Sequence, residues 1–254
     1  MTDQPLKGKV AVVTGAGRSI GKSTALVFAK AGAELAICAR AQAEIVATAH
    51  KITALGPRCF AMSVDVADPA QNRSFCDGIL ADFGTVDIII VNSAVAYLER
   101  GAFADSDPDL WWKTTEVNVR GPYMITRNLI NDMRQGGKLL NLTFGKGYSA
   151  GANSTAYHLS KAALNMLTDG LANELWSRNI DVNSLVPGPT AAATFDNAAK
   201  GAERSPEEIL AQGRENLPKG LPAWERVKHP DEVGHLRCIW RPSQSAGQPG
   251  KSIH

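Results

Sequence analysis

The chain has 254 residues, of which 44% are hydrophobic and 20% charged, a globular composition that is neither disordered nor fibrous. Lys plus Arg is 27 against 25 for Asp plus Glu, so the net charge of +2 gives no reason to expect nucleic acid or an anionic membrane as partner. No basic n-region leads into an apolar run at the start, and no apolar stretch approaches the ~20 residues of a membrane helix, so a cytoplasmic protein is expected. The four cysteines form no CxxC pair and read as reduced, mostly buried thiols. His50, His158, His229, His235 and His254 have no metal-ligand spacing, and no metal is expected.

In chain order, Val10 to Val13 reads as a buried strand and Ile20 to Ala31 as a helix ended by Gly32. Leu35 to Cys38 is a second strand, and Ala41 to Leu55 places Ile45, Ala49 and Ile52 on one helical face. A third strand ends near Val64, a helix covers about Pro69 to Phe83, and Val86 to Val91 is an apolar run with a single Asp. Asp107-Pro108 starts a helix with an Asp cap and Pro at its first position. Lys138 to Thr143 is a strand, Ser154 to Arg178 a long helix, and Ile180 to Val186 another strand. Ser205 to Glu208 reads as a capping box, and Asp231 to Trp240 as the last helix. This alternation predicts an α/β protein, a single doubly wound parallel sheet with helices on both faces, formed by residues 1–254 as one domain. The irregular stretch 187–222 follows a strand end and suits a substrate lid.

Thr14-Gly15-Ala16-Gly17-Arg18-Ser19-Ile20-Gly21-Lys22-Ser23 joins the first strand to the first helix. Two phosphate-binding readings compete there. Ala16 to Ser23 fits a loosened P-loop, whose Lys would reach phosphates and whose Ser would hold Mg²⁺. Alternatively the glycines let the backbone approach a pyrophosphate at the helix N-terminus. Further along, Tyr157 and Lys161 lie four apart and share one helix face. An ammonium beside a phenol lowers the phenol pKa from about 10 toward neutrality, which suits general acid–base work on an alcohol or carbonyl oxygen.

As an ordered set these residues resemble the short-chain dehydrogenase/reductase family, in its compact single-domain branch. The turn is similar to the family's TGxxxGxG cofactor motif, with Ser19 where the middle glycine is usual, and Asn92-Ser93-Ala94-Val95 loosely resembles NNAG. Asn118 matches the catalytic asparagine, Tyr157 to Lys161 the YxxxK motif, and Pro187-Gly188 the turn beside the nicotinamide. The resemblance runs from about Leu6 to the last residues and favours the dinucleotide turn over the P-loop.

It implies an oxidoreductase interconverting a carbonyl and a secondary alcohol by hydride transfer. Tyr157 would pass the proton, Lys161 would lower its pKa and hold the nicotinamide ribose, and Asn118 would position Lys161 through water. Gly15, Arg18, Ser19, Ile20, Gly21, Asn92 and Ala94 would line the cofactor, Asp65 and Val66 would lie along the adenine, and Thr190 or Thr194 would stand near the cofactor amide. After the second strand the chain reads Cys38-Ala39-Arg40, with alanine where NAD users carry Asp; Arg40 and Arg18 favour NADP over NAD. Thirteen residues before Tyr157, the family's serine position holds Phe144, which cannot donate a hydrogen bond. Thr143 is the nearest hydroxyl, with Tyr148 and Ser149 behind it. The alternative is a catalytically impaired relative that binds NADP(H) as a sensor or partner subunit. The resemblance also implies a homotetramer or homodimer, with Trp111, Trp112 and Trp176 in core or interface.

Overall fold

The computed structural model describes residues 4–95, 102–144, 152–191, 205–211 and 227–234, and the backbone of 252–253. Its strands are β1 (Val10–Thr14), β2 (Glu34–Ala39), β3 (Cys59–Ser63), β4 (Val86–Val91), β5 (Met133–Leu142), β6 (Asp181–Leu185) and β7 (Ser252–Ile253). They form one seven-stranded sheet in the order β3-β2-β1-β4-β5-β6-β7, parallel at every pair. The helices are α1 (Ser19–Lys30), α2 (Gln42–Thr53), α3 (Pro69–Phe83), α4 (Pro108–Thr115), α5 (Gly121–Leu129), α6 (Thr155–Glu174), α7 (Pro206–Ala211) and α8 (Pro230–Gly234). The expected doubly wound sheet is therefore present.

Period-two alternation divides the core between the two sheet faces. Ala11 and Val13 of β1 with Ile88 and Ile90 of β4 pack against Ala25 and Phe28 of α1 and Ile45 and Ile52 of α2. Val12 and Ile89 point the other way, into Phe75 and Ile79 of α3, Ile125 and Leu129 of α5 and Ala172 of α6. Each large side chain fully buried in these layers contributes about 1.5–3 kcal/mol of transfer free energy. Asp87 breaks the apolar run of β4 at its N-terminal end. Its carboxylate accepts from Val10 N at 2.9 Å, Lys9 Nζ at 3.0 Å and Arg134 Nη1 at 3.1 Å, so its charge is satisfied.

Several ends differ from the sequence expectation. β5 begins at Met133 rather than Lys138, with a register shift against β4, because Gly136 and Gly137 conceal the strand pattern. The helix expected from Ser154 to Arg178 stops at Glu174; a 3₁₀ turn spans Trp176–Arg178, and Asn179 closes it in the left-handed region at φ 55°. The Asp107 cap holds, accepting from Asp109 N at 2.8 Å. So does the capping box: Ser205 Oγ accepts from Glu208 N at 3.2 Å, and Ser205 N donates to Glu208 Oε2 at 2.6 Å. Helix α8 is described over Pro230–Gly234, and residues 235–240 of the expected last helix lie outside the described residues.

Candidate active site

The strand order reverses between β1 and β4, and the crevice at such a switch point is where open α/β sheets bind ligands. Thr14 and Asn92 fasten the carboxyl ends of these two strands together. Thr14 Oγ1 accepts from Asn92 N at 3.0 Å and Ser93 N at 2.9 Å, while Asn92 Nδ2 donates to Thr14 O at 3.0 Å and Gly15 O at 3.3 Å. Asn92 thus shapes the turn through its main chain.

Two glycines make that approach possible. Gly15 has φ 66°, and a Cβ on it would lie 2.8 Å from Asn92 Nδ2; a Cβ on Gly21 would overlap the carbonyl oxygen of Gly15. The first turn of α1 is thereby pressed onto the end of β1. Arg18, exposed, occupies the cap position without a side-chain cap bond, so it leaves the first N–H groups of α1 to another acceptor. Ser19 adopts φ 51°, a left-handed conformation natural to glycine, and its buried hydroxyl has no partner. A helix N-terminus, a glycine cradle and an orphaned hydroxyl fit an anionic group such as a pyrophosphate. The P-loop alternative fails on Ser23, which is buried and donates to Asp231 of α8.

The second half of the site is built by α6 over β5. Lys161 is buried, and its Nζ donates to Leu142 O at 2.9 Å. Burial pulls its pKa down from 10.5 to about 8. Tyr157, one turn earlier, is half-buried, with its ring centroid 5.8 Å from Lys161 Nζ. The Phe144 ring meets Tyr157 edge-on, with centroids 6.0 Å apart. Thr143 N still donates to Leu185 O at 2.9 Å, so the ladder with β6 extends one residue past β5. The pleat therefore puts Thr143 on the face of Asn141, whose amide donates to Thr168 of α6 at 2.9 Å. The Thr143 hydroxyl is buried there without a partner. Tyr148, Ser149 and Thr194 lie outside the described residues.

Asn118 sits in a π-helical turn, Glu116–Arg120, between α4 and α5, an irregularity that often marks functional positions. Its side chain accepts from Val95 N at 2.8 Å and donates to Val95 O at 2.8 Å and Ser160 Oγ at 3.0 Å. Ser160 Oγ in turn donates to Tyr157 O at 2.8 Å. Asn118 thus clamps the loop after β4 to the helix carrying Tyr157 and Lys161, a link that nothing in its local sequence announces.

The remaining expected residues follow the carboxyl ends of β2, β3, β4 and β6. Asp65 Oδ1 accepts from Ala67 N at 3.0 Å, and Val66 packs under Gly121. Ala94 and Arg40 are exposed. Past β6, Gly188 has φ 66° and Thr190 Oγ1 donates to Gly188 O at 3.2 Å. Lys228 N donates to Pro189 O at 2.9 Å, tying the Pro187 turn to the segment before α8. Of the expected lid, α7 is described, whereas 192–204 and 212–222 lie outside the described residues. Among the described residues no group of acids, His and Cys has the geometry of a metal site, and no helix is long and apolar enough to cross a membrane.

The family model for short chain dehydrogenases matches residues 9–203. The chain belongs to that family. It is 31% identical over 245 residues to oxidoreductase UcpA of Escherichia coli, covering 95% of this chain and 90% of that protein. A short-chain dehydrogenase/reductase from Serratia marcescens is 27% identical with a TM-score of 0.83, over 98% of this chain and 96% of that one. A short-chain dehydrogenase from Burkholderia cenocepacia, solved in complex with NADP, is 28% identical with a TM-score of 0.78, over 92% and 90% of the two chains. As a family member, the chain is an oxidoreductase by class.

Proposed function

We propose that this family member is an NADP-dependent oxidoreductase that interconverts a carbonyl and a secondary alcohol. The observation that carries the reading is the shared helix face of Tyr157 and buried Lys161, in a chain that also builds a glycine cradle suited to an anion. The NADP-bound Burkholderia relative supports the choice of cofactor, as do Arg18 and Arg40. When bound, the nicotinamide supplies or accepts the hydride.

The protein's own groups do the rest. The N–H groups at Ser19, Ile20 and Gly21 would hold the pyrophosphate, with Gly15 leaving room for it. Arg18 and Arg40 would hold the 2′-phosphate, Asp65 and Val66 the adenine, and Asn92, Ala94, Pro187, Gly188 and Thr190 the nicotinamide half. Tyr157 gives a proton to the carbonyl oxygen in reduction and takes it back in oxidation. Lys161 favours the phenolate and would hold the nicotinamide ribose. Asn118 is a positioning residue: its side chain is committed to Val95 and Ser160, so any water it shares with Lys161 lies on its main chain. Thr143 replaces the missing serine as donor to the substrate oxygen. Exposed Trp112, Tyr123 and Met166 on α4, α5 and α6 support assembly into a homotetramer or homodimer.

Oxidation of NADPH against a panel of ketones and aldehydes tests the reading. Turnover of at least one carbonyl supports it; tight NADPH binding with no turnover of any would favour a sensor or partner subunit.

A further inference from the structure

Glu44 brings an acid to the place where Cys38-Ala39-Arg40 lacks one. It lies in the first turn of α2. A Cβ on Gly17 would lie 2.8 Å from Glu44 Oε2 and 3.1 Å from Ala39 Cβ, so the glycine turn, the end of β2 and Glu44 meet at one point. Thr48, one helical turn on, reinforces that meeting by donating to Gly17 O at 3.3 Å. Glu44 Oε1 is 3.8 Å from Arg18 Nη1.

The same carboxylate stands among further cations. Burial lowers the pKa of Lys22, Lys51 lowers it further, and Glu44 opposes them. Arg40 is exposed immediately after Ala39. A phosphate arriving on the ribose would therefore meet Arg18 already facing a carboxylate, and would be repelled by that carboxylate.

We propose that Glu44 is a specificity-determining residue for the cofactor: its carboxylate competes with the 2′-phosphate of NADP for Arg18. This rests on the NADP reading above. The pair is partly exposed, so the expected effect is modest, about five-fold in affinity. An acid in the first turn also favours the dipole of α2, but that role affects stability and leaves the choice between ligands unchanged.

Calorimetric titration of the full chain with adenosine 5′-monophosphate and with adenosine 2′,5′-bisphosphate, at low ionic strength, tests it. Glu44→Gln is expected to tighten the bisphosphate about five-fold and leave the monophosphate unchanged; in an Arg18→Met background the same substitution is expected to change neither. Equal tightening of both ligands, or weaker monophosphate binding, would overturn the proposal. A wild-type preference for the bisphosphate that Glu44→Gln leaves unchanged also overturns it, while keeping NADP as the cofactor. No preference in the wild type but one in Glu44→Gln keeps the role of Glu44 and overturns NADP; no preference in either overturns both.

Discussion

Lys161 donates its buried Nζ to the carbonyl oxygen of Leu142 at 2.9 Å, which fixes the second turn of α6 to the end of β5. That bond aligns the helix carrying Tyr157 with the strand carrying Thr143. It also places an ammonium where burial disfavours its charge.

The cost of that charge depends on pH. The pKa of Lys161 falls from 10.5 to about 8 on folding. Below pH 8 both states hold the proton and the full penalty of about 3 kcal/mol is present. Between 8 and 10.5 the unfolded chain binds more proton, so this group's contribution to stability rises with pH. Lys161→Met is expected to abolish turnover and to gain about 2–3 kcal/mol at pH 7 from removal of the buried charge, a gain that fades by pH 10.5, against about 1–3 kcal/mol lost at every pH with the bond to Leu142 O. Urea unfolding at both pH values checks this; a gain that does not depend on pH would contradict it.

Thr143→Val is expected to act in opposite directions on stability and rate. Removing a buried, unpartnered hydroxyl stabilises the protein by about 1 kcal/mol. Losing a donor to the reacting oxygen lowers kcat by about 10²–10³. Denaturation and steady-state kinetics on the same preparation check both, and an unchanged kcat removes Thr143 from the site.

Ser19→Gly is expected to raise stability by about 1 kcal/mol, because the φ of 51° is strained for serine and natural for glycine. Urea denaturation measures it. A loss of stability would mean that the left-handed conformation is absent in solution.

Asn118→Ala removes three hydrogen bonds and leaves both polar groups of Val95 buried without partners. The expected cost is about 2–4 kcal/mol, with kcat reduced more than cofactor affinity. Unfolding together with NADPH titration separates those effects; a protein as stable as the wild type would show the clamp to be dispensable.

Local features of the site were legible in the sequence. The four-residue spacing of Tyr157 and Lys161 determines a shared helix face by geometry alone, and the glycine turn sits between a plain strand and a plain helix. The alternating strands and the Asp107 and Ser205 caps were equally direct. Long-range relationships were not. Thr14 meets Asn92 only because β1 and β4 are neighbours, 78 residues apart in sequence. Glu44 reaches Gly17 through tertiary packing, and the π-helical turn at Asn118 has no compositional mark. Lys22 and Ser23 mimic a P-loop in sequence, and only the packing of α8 on α1 assigns Ser23 to Asp231.

Tyr157→Phe decides whether Tyr157 moves the proton. NADPH affinity by fluorescence titration and the rate of carbonyl-dependent NADPH oxidation are measured on the wild type and the variant. Affinity within about two-fold and a rate reduced by about 10²–10⁴ are expected. A variant that keeps the wild-type rate would contradict that role.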